Sequence, residues 1–147
     1  MQTLGECVWD EVVIDELWTF IGCKAQQAWV WIVLSRRTLQ VVAFFVGPRD
    51  LQSAQQVWEQ VPSPWRDGLV FTDGLRVYEA LFQETPLKHC RCLKRDKDTW
   101  GETSEVEGAN NALRQGVSYL GRKTLSFARS LHWFIYHWNL RQAKKWS

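Results

Sequence analysis

The chain has 147 residues, 46% hydrophobic and 14% aromatic with ten Trp, which suits one domain with a sizeable core and excludes a disordered chain. Its longest unbroken apolar run, Ala28–Leu34 (AWVWIVL), falls far short of the roughly 20 residues of a membrane span, and the acidic start MQTLGECVWDE is unlike a signal peptide, so a cytoplasmic protein is expected. The net charge of +2 is unevenly shared: residues 1–87 hold six Lys/Arg against eleven Asp/Glu, residues 88–147 twelve against five, a basic half that suits a polyanion such as nucleic acid.

Val12–Gly22 (VVIDELWTFIG) reads as a first strand, although Asp15 and Glu16 stand in its middle, where Asp is depleted. Ala28–Ser35 is apolar at successive positions, as in a strand covered on both faces. After the turn Arg36-Arg37-Thr38, Leu39–Gly47 supplies a third strand, and the short connections predict an antiparallel meander. Asp50 is placed to cap a helix with Leu51, Ala54, Trp58 and Val61 on one face, ended by Pro62 and Pro64. Gly68–Thr72 is a short central strand stopping at Asp73-Gly74. A helix over Leu75–Gln83 follows, with Tyr78, Leu81 and Phe82 inward, then an edge strand in Leu87–Lys94 and a polar loop over Arg95–Glu102. Ser104 opens a long helix with Val106, Leu113, Val117 and Leu120 on one stripe, and an aromatic helix, Leu131–Leu140, closes a single domain over residues 1–147. Three strands, helix, strand, helix, strand and then helices is the order of an α/β, ribonuclease-H-like fold, a mixed five-stranded sheet with helices on both faces.

The four cysteines are expected to be free thiols. No export signal favours disulfides, and Cys90-Arg91-Cys92 is too tightly spaced for a zinc pair.

The fold order gives three acids a chemical meaning. Asp15 shares a strand face with Val13 and Leu17, and Asp73 ends the fourth strand, which this topology sets beside the first. Both carboxylates then point into the crevice at the carboxyl ends of the strands. Two acids meeting there repel unless a divalent cation neutralises them, and Mg²⁺ binds through a few carboxylates together with substrate phosphate and water. Glu107, one turn into the long helix, completes a site for two Mg²⁺ ions, with Mn²⁺ as a substitute. The same residue also fits a capping box with Ser104. Likewise Asp73 in T-D-G fits a turn, and Asp15 fits a solvent-facing strand acid.

The segments DELWTFIGCKAQQAWVWIV, FTDGLRVYEAL and VEGANNALRQGVSYLGRKTLSFARS, running in order from Val12 to Ser130, resemble the transposases of the insertion sequence 1 family. The block Leu113–Ser130 (LRQGVSYLGRKTLSFARS) is the most specific part and is hard to attribute to fold physics. The resemblance implies a DDE transposase catalytic domain acting on DNA, with Asp15, Asp73 and Glu107 as catalytic and metal-binding acids. It implies 3′-end nicking followed by strand transfer to target DNA, by a homo-oligomer on DNA in the nucleoid. Alternatives on the same residues are a structure-directed nuclease and an inactive or repurposed DNA-binding fragment. No C-x-x-C pair precedes the first strand, so the family's zinc-finger and helix-turn-helix region is expected from another reading frame or a separate chain, or to be lost.

Arg114, two turns after Glu107, and Arg122 and Lys123 in G-R-K-T are the expected DNA contacts, fixing register on phosphates without reading sequence. Trp18 and the His137–Asn139 segment read as core rather than as contacts. Replacing Arg122 and Lys123 together by Ala should weaken DNA binding about equally for all sequences and flatten the log–log salt dependence by roughly 2 units. An unchanged slope in a salt titration would show that neither side chain meets phosphate.

Overall fold

The computed structural model describes residues 11–21, 26–66, 68–72, 76–83, 89–91, 104–123 and 126–145, with backbone alone at 64, 89–91, 104, 105 and 123. Three strands, β1 (Val12–Phe20), β2 (Gln27–Ser35) and β3 (Val41–Gly47), form the expected antiparallel meander. The chain then passes through α1 (Leu51–Glu59) and α2 (Ser63–Arg66) into β4 (Val70–Thr72), which lies parallel to β1 with Val12 beside Val70 and Val13 beside Phe71. Next come α3 (Arg76–Leu81) and β5 (His89–Arg91), whose backbone runs parallel along β4, so the order across the mixed sheet is β3-β2-β1-β4-β5. The helices α4 (Ser104–Lys123) and α5 (Phe127–Lys145) complete the described chain. No helix among the described residues is long and apolar enough to cross a membrane.

β2 explains why the domain has two cores. Val30, Ile32 and Leu34 face one way and Trp31 and Val33 the other, all at 2% exposure or less. The first set packs with Val13, Leu17, Val106, Leu113, Val117, Leu131 and Ile135 under α4 and α5, and the second with Ile14, Val57, Val70 and Tyr78 under α1 and α3. Fully burying side chains of this size contributes about 1.5–3 kcal/mol each, so both faces of the sheet are covered for a reason readable in an unbroken apolar run.

Several element limits differ from the sequence reading. Asp50 caps α1 as expected, its carboxylate accepting the Ser53 N–H at 2.9 Å. The buried stripe, however, runs through Ser53, Ala54, Val57 and Val61, which leaves Leu51 roughly 100° off its centre and exposed, with Trp58 half-buried. Pro62 and Pro64 do not mark where α1 stops. It ends at Glu59, and Pro64 falls in the first turn of α2, where a missing N–H costs nothing. The closing helix extends beyond Leu131–Leu140 in both directions, because Phe127 and Gln142 continue the stripe of Leu131, Ile135 and Trp138. The expected loop Arg95–Glu102 lies outside the described residues, as do Cys7, Cys23 and Cys92, while of Cys90 only the backbone is described.

The two helices of the second layer are fixed at particular points. The Trp138 indole N–H donates to the Leu39 carbonyl (2.8 Å), and the Asn139 side chain accepts the Val41 N–H (2.7 Å) and donates to its C=O (2.9 Å). Asn139 thus pairs with backbone groups on the edge strand β3, which a further strand would otherwise use. Trp138 and Asn139 are structural, as the sequence reading has it, whereas His137 is exposed.

Gly121 lets α4 rest directly on β1. A methyl group there would overlap the Thr19 hydroxyl oxygen and the Phe20 carbonyl oxygen, and the latter, being backbone, cannot give way without lifting the helix. Gly116 is the same kind of position against the Phe134 ring. Five positions of the block Leu113–Ser130 are therefore fold physics after all: Leu113, Gly116, Val117, Gly121 and Phe127 are packing positions. Gly121→Ala should destabilise the domain by roughly 1–3 kcal/mol in urea unfolding, the usual range for overpacking. A change below a few tenths would mean that α4 does not touch β1 there.

Candidate active site

Neighbouring residues of a strand point to opposite faces, so the pair Asp15-Glu16 sends one carboxylate into each layer. Both are buried, at 8% and 6% exposure, and a buried carboxylate needs a cation and hydrogen-bond donors. Glu16 has them in a rigid form. Its Oε1 accepts from Arg49 Nη2 (2.9 Å) and its Oε2 from the Tyr78 hydroxyl (2.5 Å), and the Arg49 guanidinium lies 4.6 Å from the centre of the Trp29 ring.

Asp15 is held differently. It shares the α4 side of the sheet with Val13 and Leu17, as its alternation predicts. Its Oδ1 accepts the N–H of Glu16 (2.9 Å), while Oδ2 accepts from Arg114 Nη2 at 3.2 Å, long for a charge-assisted bond. The Arg114 side chain is half exposed, so the guanidinium reaches Oδ2 from solvent rather than sealing it. Asp15 also stands just past the last described pairs between β1 and β4, and β4 ends at Thr72. This is where the sheet changes from antiparallel to parallel neighbours, the kind of crevice in which α/β sheets take ligands.

Glu107 is exposed on α4, seven residues before Arg114. Seven helical residues return to within about 20° of the same direction and advance about 10.5 Å, so Glu107 and Arg114 flank one stripe. Asn110 lies between them at 4% exposure, and its Nδ2 has no hydrogen-bond partner among the described residues. Arg122, turned about 80° from Arg114, is exposed and donates to Ser118 Oγ (3.2 Å). Lys123 ends α4, and Asp73 lies outside the described residues.

Of the residues selected from sequence, then, the structure joins Asp15 and Arg114 directly. No group of three potential metal ligands gathers among the described residues. Trp18 is a correction: it is 41% exposed rather than core, and alternation sets it on the Glu16 face of β1, away from Asp15. Two residues were missed. The adjacent acids already implied that Glu16 must serve the opposite face from Asp15, and the i, i+3, i+7 spacing of Glu107, Asn110 and Arg114 already put Asn110 on their stripe.

Comparison with known proteins gives a consistent answer. A model of the IS1 transposase family matches residues 10–138. The insertion element iso-IS1n protein InsB of Shigella dysenteriae is 31% identical over 120 residues, 80% of this chain and 82% of that protein. The insertion element IS1 2 protein InsB of Escherichia coli K12 is 31% identical over 118 residues, again 80% of this chain but 65% of the relative's length. No solved structure matches.

Tyr78→Phe removes a hydrogen bond to a charged, buried group and should lower stability by about 1.5–3 kcal/mol in denaturant titration. An unaltered midpoint would mean that Arg49 alone satisfies Glu16.

Proposed function

The chain belongs to the IS1 transposase family, and from that premise we propose that it is a divalent-metal-dependent DDE transposase catalytic unit of ribonuclease-H-like fold, which nicks DNA at the 3′ ends of an insertion sequence and joins them to target DNA. The observation that carries the proposal is Asp15: a buried carboxylate in a central strand, at the sheet's switch point, with one oxygen turned toward α4 and meeting the half-exposed Arg114 guanidinium.

The donor chemistry fits the cation. An oxygen-only set of Asp15, Asp73 and Glu107 suits Mg²⁺ or Mn²⁺ rather than a soft metal, and the Asp15 oxygen that attracts Arg114 is equally attractive to a dication. When bound, two such ions neutralise the acids, activate the attacking oxygen and stabilise the leaving oxygen. The protein's own part is positioning. The Glu16 N–H fixes the orientation of the Asp15 carboxylate through Oδ1, with Oδ2 facing Arg114. With a cation bound, Arg114 would donate to a non-bridging phosphate oxygen, and Arg122 and Lys123 at the far end of α4 would hold phosphates along the strand.

The chemistry balances without a covalent enzyme intermediate. In the first step a water oxygen bonds to phosphorus and the 3′ oxygen leaves, taking up a proton. In the second, the freed 3′-hydroxyl attacks a target phosphodiester, one P–O bond forming as another breaks. The chain spans 65% of the length of the Escherichia coli relative. A homo-oligomer assembled on DNA in the nucleoid brings two ends to one target.

With labelled element ends, target DNA, Mg²⁺ and the recognition region present, the wild-type chain should yield both nicked and joined products. Asp15→Asn, Asp73→Asn and Glu107→Gln should each abolish both while the circular dichroism spectrum is retained. Nicking without joining would identify a nuclease instead, and full activity in Asp15→Asn would overturn the assignment.

A further inference from the structure

Glu107 is the last acidic residue of the chain. Residues 108–147 contain seven Lys/Arg and no Asp or Glu, and α5 carries four of these cations. Burying Phe127, Leu131, Ile135, Trp138 and Gln142 fixes how α5 is turned, and its outward face is then set by helical spacing. That face is not polar. Trp133, Tyr136 and Leu140, at i, i+3 and i+7, are 59%, 55% and 42% exposed. The rings are mutually ordered: Trp133 stacks on His137 with centroids 5.8 Å apart and planes 24° off parallel, and Tyr136 meets both rings edge-on at 5.9 and 5.4 Å. Large apolar side chains grouped on a surface mark something that covers them.

Two occupants could cover such a stripe, and the charges decide between them. Arg129 stands one turn before Trp133 and Lys144 one turn after Leu140, cations at both ends of the aromatic patch. A second copy of α5 packed antiparallel would set Arg129 against the other copy's Lys144, and a parallel copy would set each against its like. Either pairing is repulsive, with no carboxylate on the helix to relieve it. A polyanion with exposed ring faces is complementary to both features.

We propose that the outward face of α5 is a binding surface for single-stranded or unpaired DNA, with bases stacked on Trp133 and Tyr136 and the backbone held by Arg129 and Lys144. These cations are 15 residues apart, about 22 Å along the helix, which spans roughly four nucleotides of an extended single strand. That is within the site sizes of known stacking platforms. Pre-ordered rings lose little freedom on binding, and a duplex, whose base faces are hidden, gains only the phosphate contacts. α5 lies on the same side of the sheet as α4 and Asp15, so a strand parted near a cleavage site is taken up on the layer that carries the chemistry. The inference rests on DNA being the partner of the proposed active site, but not on Asp15 being catalytic.

The test is fluorescence anisotropy of the full chain with labelled dT20 and with a 20-base-pair duplex. Trp133→Ala with Tyr136→Ala, both at exposed positions and checked by circular dichroism, should weaken dT20 binding on the order of tenfold or more and leave duplex binding within about twofold. Arg129→Ala with Lys144→Ala should weaken both and reduce the salt slope by about 2. Unchanged dT20 affinity in the ring variant overturns the surface, and a chain that still cleaves element ends in that case leaves the active-site reading standing. A wild-type dimer that the ring variant converts to monomer in sedimentation overturns it in favour of a second copy. Asp15→Asn should bind dT20 like the wild type, so failure of the catalytic assignment is read independently.

Discussion

Two neighbouring carboxylates on a strand hydrogen-bonded to β2 along its whole length are the constraint around which this domain is arranged. Asp15 and Glu16 are both buried, and alternation forbids them to share a partner. Each layer of helices must therefore supply its own cation or donor. The α1–α3 layer does so completely, with Arg49 at 2.9 Å and the Tyr78 hydroxyl both on Glu16, and removing one member of such a set leaves a buried charge poorly compensated. The α4 layer brings Arg114, a half-exposed guanidinium, to Asp15 at 3.2 Å. The buried arrangement around Glu16 holds the strand in place, and the one around Asp15 lies nearer to solvent.

Packing keeps that looseness local. Gly121 allows the carboxyl-terminal end of α4 to sit on the backbone of β1, and Leu113 and Val117 bury the middle of the helix. Asn139 and Trp138 tie α5 to β3 and to the turn before it. Arg114 and Asn110 thus project from a helix that is fixed along its length, so the geometry between β1 and α4 can change by side-chain rotation alone. The Asn110 amide nitrogen on this stripe, without a partner among the described residues, is a desolvated donor that favours an acceptor brought to it.

Much of this was legible in the sequence where one periodicity dominated. The unbroken run Ala28–Leu34 gave a strand covered on both sides, and counting alternate positions from Val13 to Leu17 put Asp15 on the α4 face. The meander followed from connection lengths, and the β1–β4 neighbourhood from the order of the elements. Reading failed where local signals were judged without their three-dimensional neighbours. Leu51 looked like a core residue because it began the apolar pattern of α1, yet the stripe is centred on Val57. Trp18 looked like core because it is large, yet β1 has outrun its cover there. Glycines in Leu113–Ser130 looked specific to a family because their contacts, the Phe20 backbone and the Phe134 ring, are nearly 100 residues away in one case and on another helix in the other. Tyr78 as the partner of Glu16 could not be foreseen, since 62 residues separate them.

The central claim is the proposal that Asp15 Oδ2, which meets Arg114, is a metal-binding oxygen. Electron paramagnetic resonance of free Mn²⁺, titrated against wild-type chain and Asp15→Asn at fixed ionic strength, tests it without relying on turnover. The account requires at least a tenfold weaker Mn²⁺ affinity in Asp15→Asn, with Mg²⁺ competing for the site in the wild type. Equal Mn²⁺ affinity in the two proteins would contradict it and reduce the Asp15–Arg114 pair to a structural contact between strand and helix.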